Sequence, residues 1–171
     1  MISNHIKDFI EDIIKEKSYK NEKGKEVIVV RNKRDEDNLK SNKGFPFFSL
    51  LTATGCIEEK GISNNVEWRE DGKLWKAYIR AILKLPLEIR VFASSEEEAN
   101  KLLFDVVKYI PDKWQLGNYV NKIELGEVVI SDWANTFIDC TFASVFVNFF
   151  IDIATDKEEV KTIGKYEYKG D

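Results

Sequence analysis

The dipeptide Asp71-Gly72 sits between two runs that alternate apolar and polar residues, Val66-Glu67-Trp68-Arg69-Glu70 and Lys73-Leu74-Trp75-Lys76-Ala77-Tyr78. A two-residue turn of this composition favours a β-hairpin, because both turn positions need φ > 0, which Asp and Gly tolerate. On the return strand, Trp75, Ala77, Ile79, Ala81 and Leu83 share one face, and Lys76, Tyr78, Arg80, Ile82 and Lys84 share the other. A helical stripe of Leu74, Ala77, Tyr78, Ala81 and Ile82 also exists. The turn decides for strand.

The other elements follow from the same periodicities. Residues 3–17 predict an amphipathic helix, with Ile6, Phe9, Ile10, Ile13 and Ile14 on one stripe and Ser3 as N-cap. Residues 26–30 predict a short β-branched strand. Residues 32–44 are almost devoid of apolar side chains and predict a mobile loop. Phe45-Pro46-Phe47-Phe48 restarts strand character, with the proline at the strand's beginning. Pro86 is expected to end the hairpin's return strand, and 87–93 to form another. Ser95 with Glu98 makes a capping box for a helix over about 95–110, with Ala99, Leu102, Leu103, Val106, Val107 and Ile110 buried, and Pro111 closing it. Residues 112–121 read as a loop, 122–131 as a strand bent at Gly126, and 132–135 as a connection. Residues 139–153 alternate with large apolar groups on both faces, so this strand is expected to be central or covered on both sides. The segment 155–171 is a charged tail in which Tyr166 and Tyr168 are able to add an edge strand. Few helices and many hairpin-connected strands predict one α+β domain over 1–171, a mixed or antiparallel sheet packed by an N-terminal and a central helix.

Chemistry is harder to find. The single histidine, His5, lies near the chain start without a partner and reads as a surface residue. Cys56 and Cys140 are far apart, in no CxxC pattern, and are expected to be reduced and packed. No cofactor or metal is expected. Gly55, Gly61, Gly72 and Gly126 are isolated turn residues, not a phosphate loop. Glu96, Glu97 and Glu98 are explained by helix capping. Asp139 and Asp152 are the carboxylates that a hydrolase would need to use, but strand-end solvation is the commoner role. The chain is therefore not expected to be an enzyme. The formal charge is −4, from 26 basic and 30 acidic residues, and the basic run Arg31, Lys33, Arg34 is followed at once by Asp35, Glu36 and Asp37. That balance argues against tight phosphate binding. The first residues lack the apolar core of a signal peptide, and no stretch has the length of a membrane span, so an intracellular protein without a membrane role is expected.

Four tryptophans, Trp68, Trp75, Trp114 and Trp133, stand out. Trp75 reads as core. Trp114 and Trp133 lie in connections and fit either core or an interface. The candidate contact residues are Trp68, Arg69, Tyr78, Phe92, Trp114 and Trp133.

The chain resembles the tail-terminator, or neck, proteins of tailed bacteriophages and phage-like tail particles. The likeness rests on the N-terminal helix followed by a strand and Phe45-Pro46-Phe47-Phe48, and on the hairpin at Asp71-Gly72. It continues through Leu87–Ala93 running into Ser95-Glu96-Glu97-Glu98-Ala99, and ends in the apolar strand Phe142–Ile153. It covers roughly residues 1–155. The strand opening at Asp139-Cys140-Thr141 and the long charged segment 32–44 depart from the family's pattern. The resemblance implies a ring, of six copies in that family, that caps the tail tube and any sheath. It would join the tube to the head connector and let DNA pass without specific binding. The protein would then reside in the virion neck after assembly in the host cytoplasm. A different reading of the same acidity and aromatic content is a small binding module, such as an inhibitor or immunity protein.

Overall fold

A computed structural model describes residues 2–21, 23–60, 65–117, 119–130 and 141–160. The elements in chain order are α1 (Ile2–Glu16), β1 (Ile28–Val30), α2 (Lys33–Ser41), β2 (Phe47–Thr52), β3 (Cys56–Glu59), β4 (Asn65–Glu70), β5 (Lys73–Ala93), α3 (Glu96–Val107), β6 (Lys113–Leu116), β7 (Tyr119–Ile130), β8 (Thr141–Ala154) and β9 (Glu158–Glu159). The fold is α+β, built on a mixed, mostly antiparallel sheet in the order β1-β2-β5-β8-β7-β6, with β3, β4 and β9 also paired to β5. Among the described residues only β1 and β2 run parallel.

The hairpin is where the turn places it: Glu70 pairs with Lys73 across Asp71 and Gly72, both at positive φ. The return strand, however, does not stop at Pro86. It runs unbroken for 21 residues. A proline in a central strand removes a ladder donor. Here the missing donor falls where it costs little. The Pro86 carbonyl accepts from the Ala53 N–H on the side of β2 and β3. The proline nitrogen faces that same side, in the gap where β2 has ended at Thr52 and β3 begins at Cys56. Gly55 spans the gap with its Cα so close that a Cβ would lie 2.8 Å from the Lys84 carbonyl oxygen.

Alternation along the strands gives the sheet two unlike faces. Phe48, Leu50, Leu87, Ile89, Val91, Val145, Val147 and Phe149 point to the face covered by α1 and α3. Ile6, Ile10 and Ile14 of α1, and Ala99, Leu103 and Val106 of α3, complete this core. Each such isoleucine or leucine contributes roughly 1.5–3 kcal/mol by leaving water. Ser95 caps α3, its Oγ accepting from the Glu98 N–H at 3.2 Å, as the capping box predicts. The Tyr19 hydroxyl, just after α1, donates to Asp105 of α3 at 2.8 Å and ties the two helices together. β8 is central, between β5 and β7, as its two-sided pattern predicts. Gly126 marks an irregularity: the β7–β8 register shifts between Leu125 and Val128.

Several expectations are corrected. Ser3 lies inside the first turn of α1 and is not its N-cap. Segment 32–44 is not a loop. Most of it is α2, capped by Asn32, whose side chain accepts from the Asp35 N–H at 2.9 Å. Segment 112–121 is not a loop either. It forms the β6–β7 hairpin, with Leu116 opposite Tyr119. In the tail, Glu158 and Glu159 form β9, whereas Tyr166 and Tyr168 lie outside the described residues, as do residues 132–135.

The Gly55→Ala variant tests how tightly the β2–β3 connection is pressed onto β5. Its Cβ would meet backbone, which cannot rotate away, so a loss of about 1–3 kcal/mol is expected. Urea unfolding is the measurement, and an unchanged midpoint would show that the connection is not seated as described.

Candidate functional surfaces

The expected contact residues separate into two groups. Trp114 is only 8% exposed and packs edge-on to Phe149, with ring centroids 5.5 Å apart, and against Phe9 of α1 at 6.0 Å. It is a core residue, not a contact residue. Phe92 is 5% exposed and stacks on Phe47 at 4.9 Å, beneath α2. It too is corrected from surface to core. Trp133, Asp139 and Cys140 lie outside the described residues. Trp68, Arg69 and Tyr78 are together on one structural unit. That unit is an arm made of β4, the first residues of β5, and β9, extending past Ile79, the last β5 residue paired with β8.

The arm has its own small cluster. Trp68 and Trp75 occupy directly opposed positions on one face. Cross-strand aromatic pairs of this kind stabilise a hairpin by roughly 0.2–1 kcal/mol. Trp68 also meets Tyr119 of β7 edge-on at 6.2 Å, and the Lys157 ammonium sits 4.5 Å over the Trp75 ring. Lys157 reaches Glu70 at 2.6 Å, and Lys73 reaches Glu159 at 3.3 Å. Trp75, expected in the main core, instead belongs to the arm. Arg69 is exposed and makes no ion pair among the described residues.

The face opposite α1 and α3 carries the main charged cluster, which the sequence reading missed. Glu36 of α2 has 0% exposure. It accepts from Ser49 Oγ at 2.7 Å, from Lys33, and from Arg90 Nη1 at 3.4 Å, with Lys40 Nζ 3.3 Å away. Arg90 also donates to Glu88 at 2.7 Å. Burial alone would push the Glu36 carboxyl up. The hydrogen bonds from Lys33 and Ser49, with the charges of Lys33 and Arg90, outweigh that and hold it below the usual carboxylate range. A signal was available: Lys33, Glu36, Asp37 and Lys40 have i,i+3 and i,i+4 spacing, and Asn32 precedes them as a cap. This cluster clamps α2 to β2 and β5. Both Glu36 carboxylate oxygens are engaged by cations or hydroxyl, which suits a fixed clamp rather than proton transfer.

The remaining candidates are dispersed. His5 is exposed on α1, as expected. Cys56, expected to be packed, is an exposed free thiol on β3. Asp152 is half-buried on β8. Its backbone N–H donates to Asn121 Oδ1 at 3.0 Å, and burial pushes its carboxyl upward. No histidine, cysteine or cationic partner is brought to it among the described residues, and no group of three or more potential ligands is placed to hold a metal there. Among the described residues no helix is long and apolar enough to cross a membrane.

The most open surface is the far edge of the sheet. β6 covers β7 only from Tyr119 to Lys122. Beyond that, Leu125, Val128 and Val129 are 50%, 45% and 40% exposed. A shallow groove lined by Ile110, Pro111, Asp112, Ile123, Glu124 and Leu125 runs between this edge and the end of α3. No protein-family model matches the chain, and no curated protein matches it.

Glu36→Gln should destabilise the protein by about 3 kcal/mol at neutral pH, because Arg90 and Lys40 lose their buried counter-charge. The folded carboxyl titrates below its unfolded value of 4.5, so its contribution is complete above that value and is lost as the pH falls through the depressed one. The gap between wild type and variant should therefore shrink on acidification. Chemical denaturation across pH 2–7 reads it, and a gap independent of pH would remove the clamp from this account.

Proposed function

We propose that this chain is a structural subunit of a phage tail or phage-like particle, of the tail-terminator kind. In this reading, copies form a ring that caps the tail tube and any sheath and joins it to the head connector. The ring has six copies in the family the sequence resembles. The role is assembly, not catalysis, and the partners are other copies of the chain, the tube protein and the connector.

The observation that carries this reading is the arm. β5 continues from Ile79 back to Lys73 beyond its pairing with β8, carrying β4 and β9 with it. A strand extension of this kind adds surface and edge without adding to the main core. It is suited to reaching a neighbouring polypeptide. Its exposed Arg69 and half-buried Trp68 are side-chain types enriched at contact centres. The excess of acidic residues suits a lumen through which DNA slides without being gripped.

The exposed apolar edge at Leu125, Val128 and Val129 also fits a second reading, a module that captures one partner by strand addition. A soluble one-to-one complex with a single foreign protein would favour it.

Electron microscopy of particles produced with and without the chain decides between them. Tails lacking the chain should be irregular in length or unjoined to heads, and cryo-EM of complete particles should place its density as a ring at the head-proximal end. Uniform, joined tails in its absence would overturn the proposal.

A further inference from the structure

The sheet has several margins, and they are not equally protected. At β1 the outer side is blocked at both ends: Lys7 Nζ donates to the Arg31 carbonyl at 2.8 Å, and the Val27 N–H donates to the Tyr19 carbonyl at 2.9 Å. At the opposite margin, β6 covers the start of β7, and the Ile123 N–H donates to the Asp112 carbonyl at 2.8 Å. After that no strand pairs with the edge among the described residues. Ile123 faces outward, so alternation turns the N–H and C=O of Leu125 outward too. The register with β8 resumes in the same phase, so Val128 does the same. This six-residue strip, from Leu125 to Ile130, contains neither proline nor lysine, the residues that usually guard an edge.

A second open strip lies on the other flank of the same sheet. β4 pairs with β5 on one side only, among the described residues. Glu70 and Lys73 close a tight turn, so Trp68 and Val66 bond inward and Asn65, Glu67 and Arg69 turn their backbone outward. β4 is also six residues long. Its acids have partners of their own: Glu70 pairs with Lys157, and Glu67 accepts from the Asn65 side-chain amide at 3.2 Å and sits directly across the hairpin from Lys76. That leaves Arg69 as the exposed strand charge without an opposite partner. On β7, Lys122 engages Glu124, and Glu127 is the exposed charge without a partner among the described residues.

We infer that the two strips are a donor and an acceptor for each other in different copies: the β7 edge of one protomer pairs with the β4 edge of the next, with Glu127 against Arg69. The inference deepens the ring reading and rests on it for the closure of the assembly. Because the strips lie on opposite flanks of one sheet, the contact is head-to-tail, using two different patches on each copy. That is the type of contact from which rings are built. Each junction extends the sheet across the subunit boundary, satisfies the outward backbone groups, and covers Leu125 and Val128.

The test uses the full chain. Arg69→Lys keeps the charge and supplies an amine that a zero-length carbodiimide joins to a touching carboxylate. Mass spectrometry should find it linked to Glu127. Within one protomer β4 approaches β7 only at its start, where Trp68 meets Tyr119; Glu127 lies further along β7 by roughly 25 Å, beyond the reach of a zero-length link, so such a link joins two copies. In sedimentation, Arg69→Glu and Glu127→Arg should each weaken self-association about fivefold to tenfold, and the double reversal should recover it. Loss in both singles without recovery in the double, or self-association indifferent to all three, overturns the inference. A chain that stays monomeric and uncrosslinked at the highest accessible concentration overturns it as well. If the cross-link and the charge reversal behave as expected while tails form normally without the chain, the edge pairing stands and the tail-terminator reading falls. If rings sit on tails and ignore the charge reversals, the opposite holds.

Discussion

The structure depends on one strand. β5 runs for 21 residues with partners along both flanks: β2, β3 and β4 on one side, β8 and β9 on the other. A 21-residue strand would ordinarily break at a proline. It continues because the lost donor faces the space where β2 has ended and β3 has not begun, and because Gly55 lets the chain cross that space in contact with β5. Everything else follows from this continuity. The upper half of β5 is clothed by helices and becomes the body. The lower half has no helix to cover it and becomes the arm, held by its own tryptophan pair and by Lys157.

The two faces of the sheet are stabilised by different physics. On the α1–α3 side, apolar burial dominates. On the other, α2 has the sequence Lys33-Arg34-Asp35-Glu36-Asp37-Asn38-Leu39-Lys40-Ser41, with little to bury. Leu39 joins the small aromatic cluster of Phe45, Phe47, Phe92 and Phe142, but one leucine does not fix a helix. Glu36 fixes it. Its desolvation is offset only because Ser49, Arg90, Lys33 and Lys40 converge on the same two oxygens. Buried ion clusters add little net stability compared with apolar packing, yet removing one member is costly. The cluster therefore specifies the position of α2 more than it strengthens the fold.

That division explains what was legible in the sequence. α1, α3, β4, β8 and the hairpin turn were readable because a periodic apolar stripe or a turn residue declares each of them locally. The α+β class followed from their order. Segment 32–44 was misread because its helix is organised by charge, and a charge run without an apolar stripe looks like a solvated loop. Pro86 was misread because its tolerance depends on where β2 ends and β3 starts, which is information held elsewhere in the chain. Trp114 and Phe92 show the same limit. An aromatic residue in a connection or between charges has no local mark that distinguishes core from surface, and only the arrival of Phe149 and Phe9, or of α2, decides it. Trp68 and Arg69 lie on β4 of the hairpin, whose strands and turn the alternating pattern around Asp71-Gly72 predicts.

Edges are a liability in any open sheet, and this protein treats its own unequally. At β1 a lysine and a preceding loop occupy the outward carbonyl and amide, so that margin is closed from within the chain. At β7 the equivalent groups of Leu125 and Val128 are left facing outward beside half-exposed apolar side chains, and β4 presents a similar row with an unpaired arginine. Placing a lysine at the half-exposed Val129, or extending β6 by a few residues along the outer edge, would close the margin without removing the β7 partners of Phe149 or Val145. An edge so simply closed, and open among the described residues, is the feature that the proposed self-association would use, and it lies on the side of β5 away from β4. In the proposed assembly, the strand that organises the fold would also set the geometry: its two sides carry the two unlike surfaces with which neighbouring copies would join.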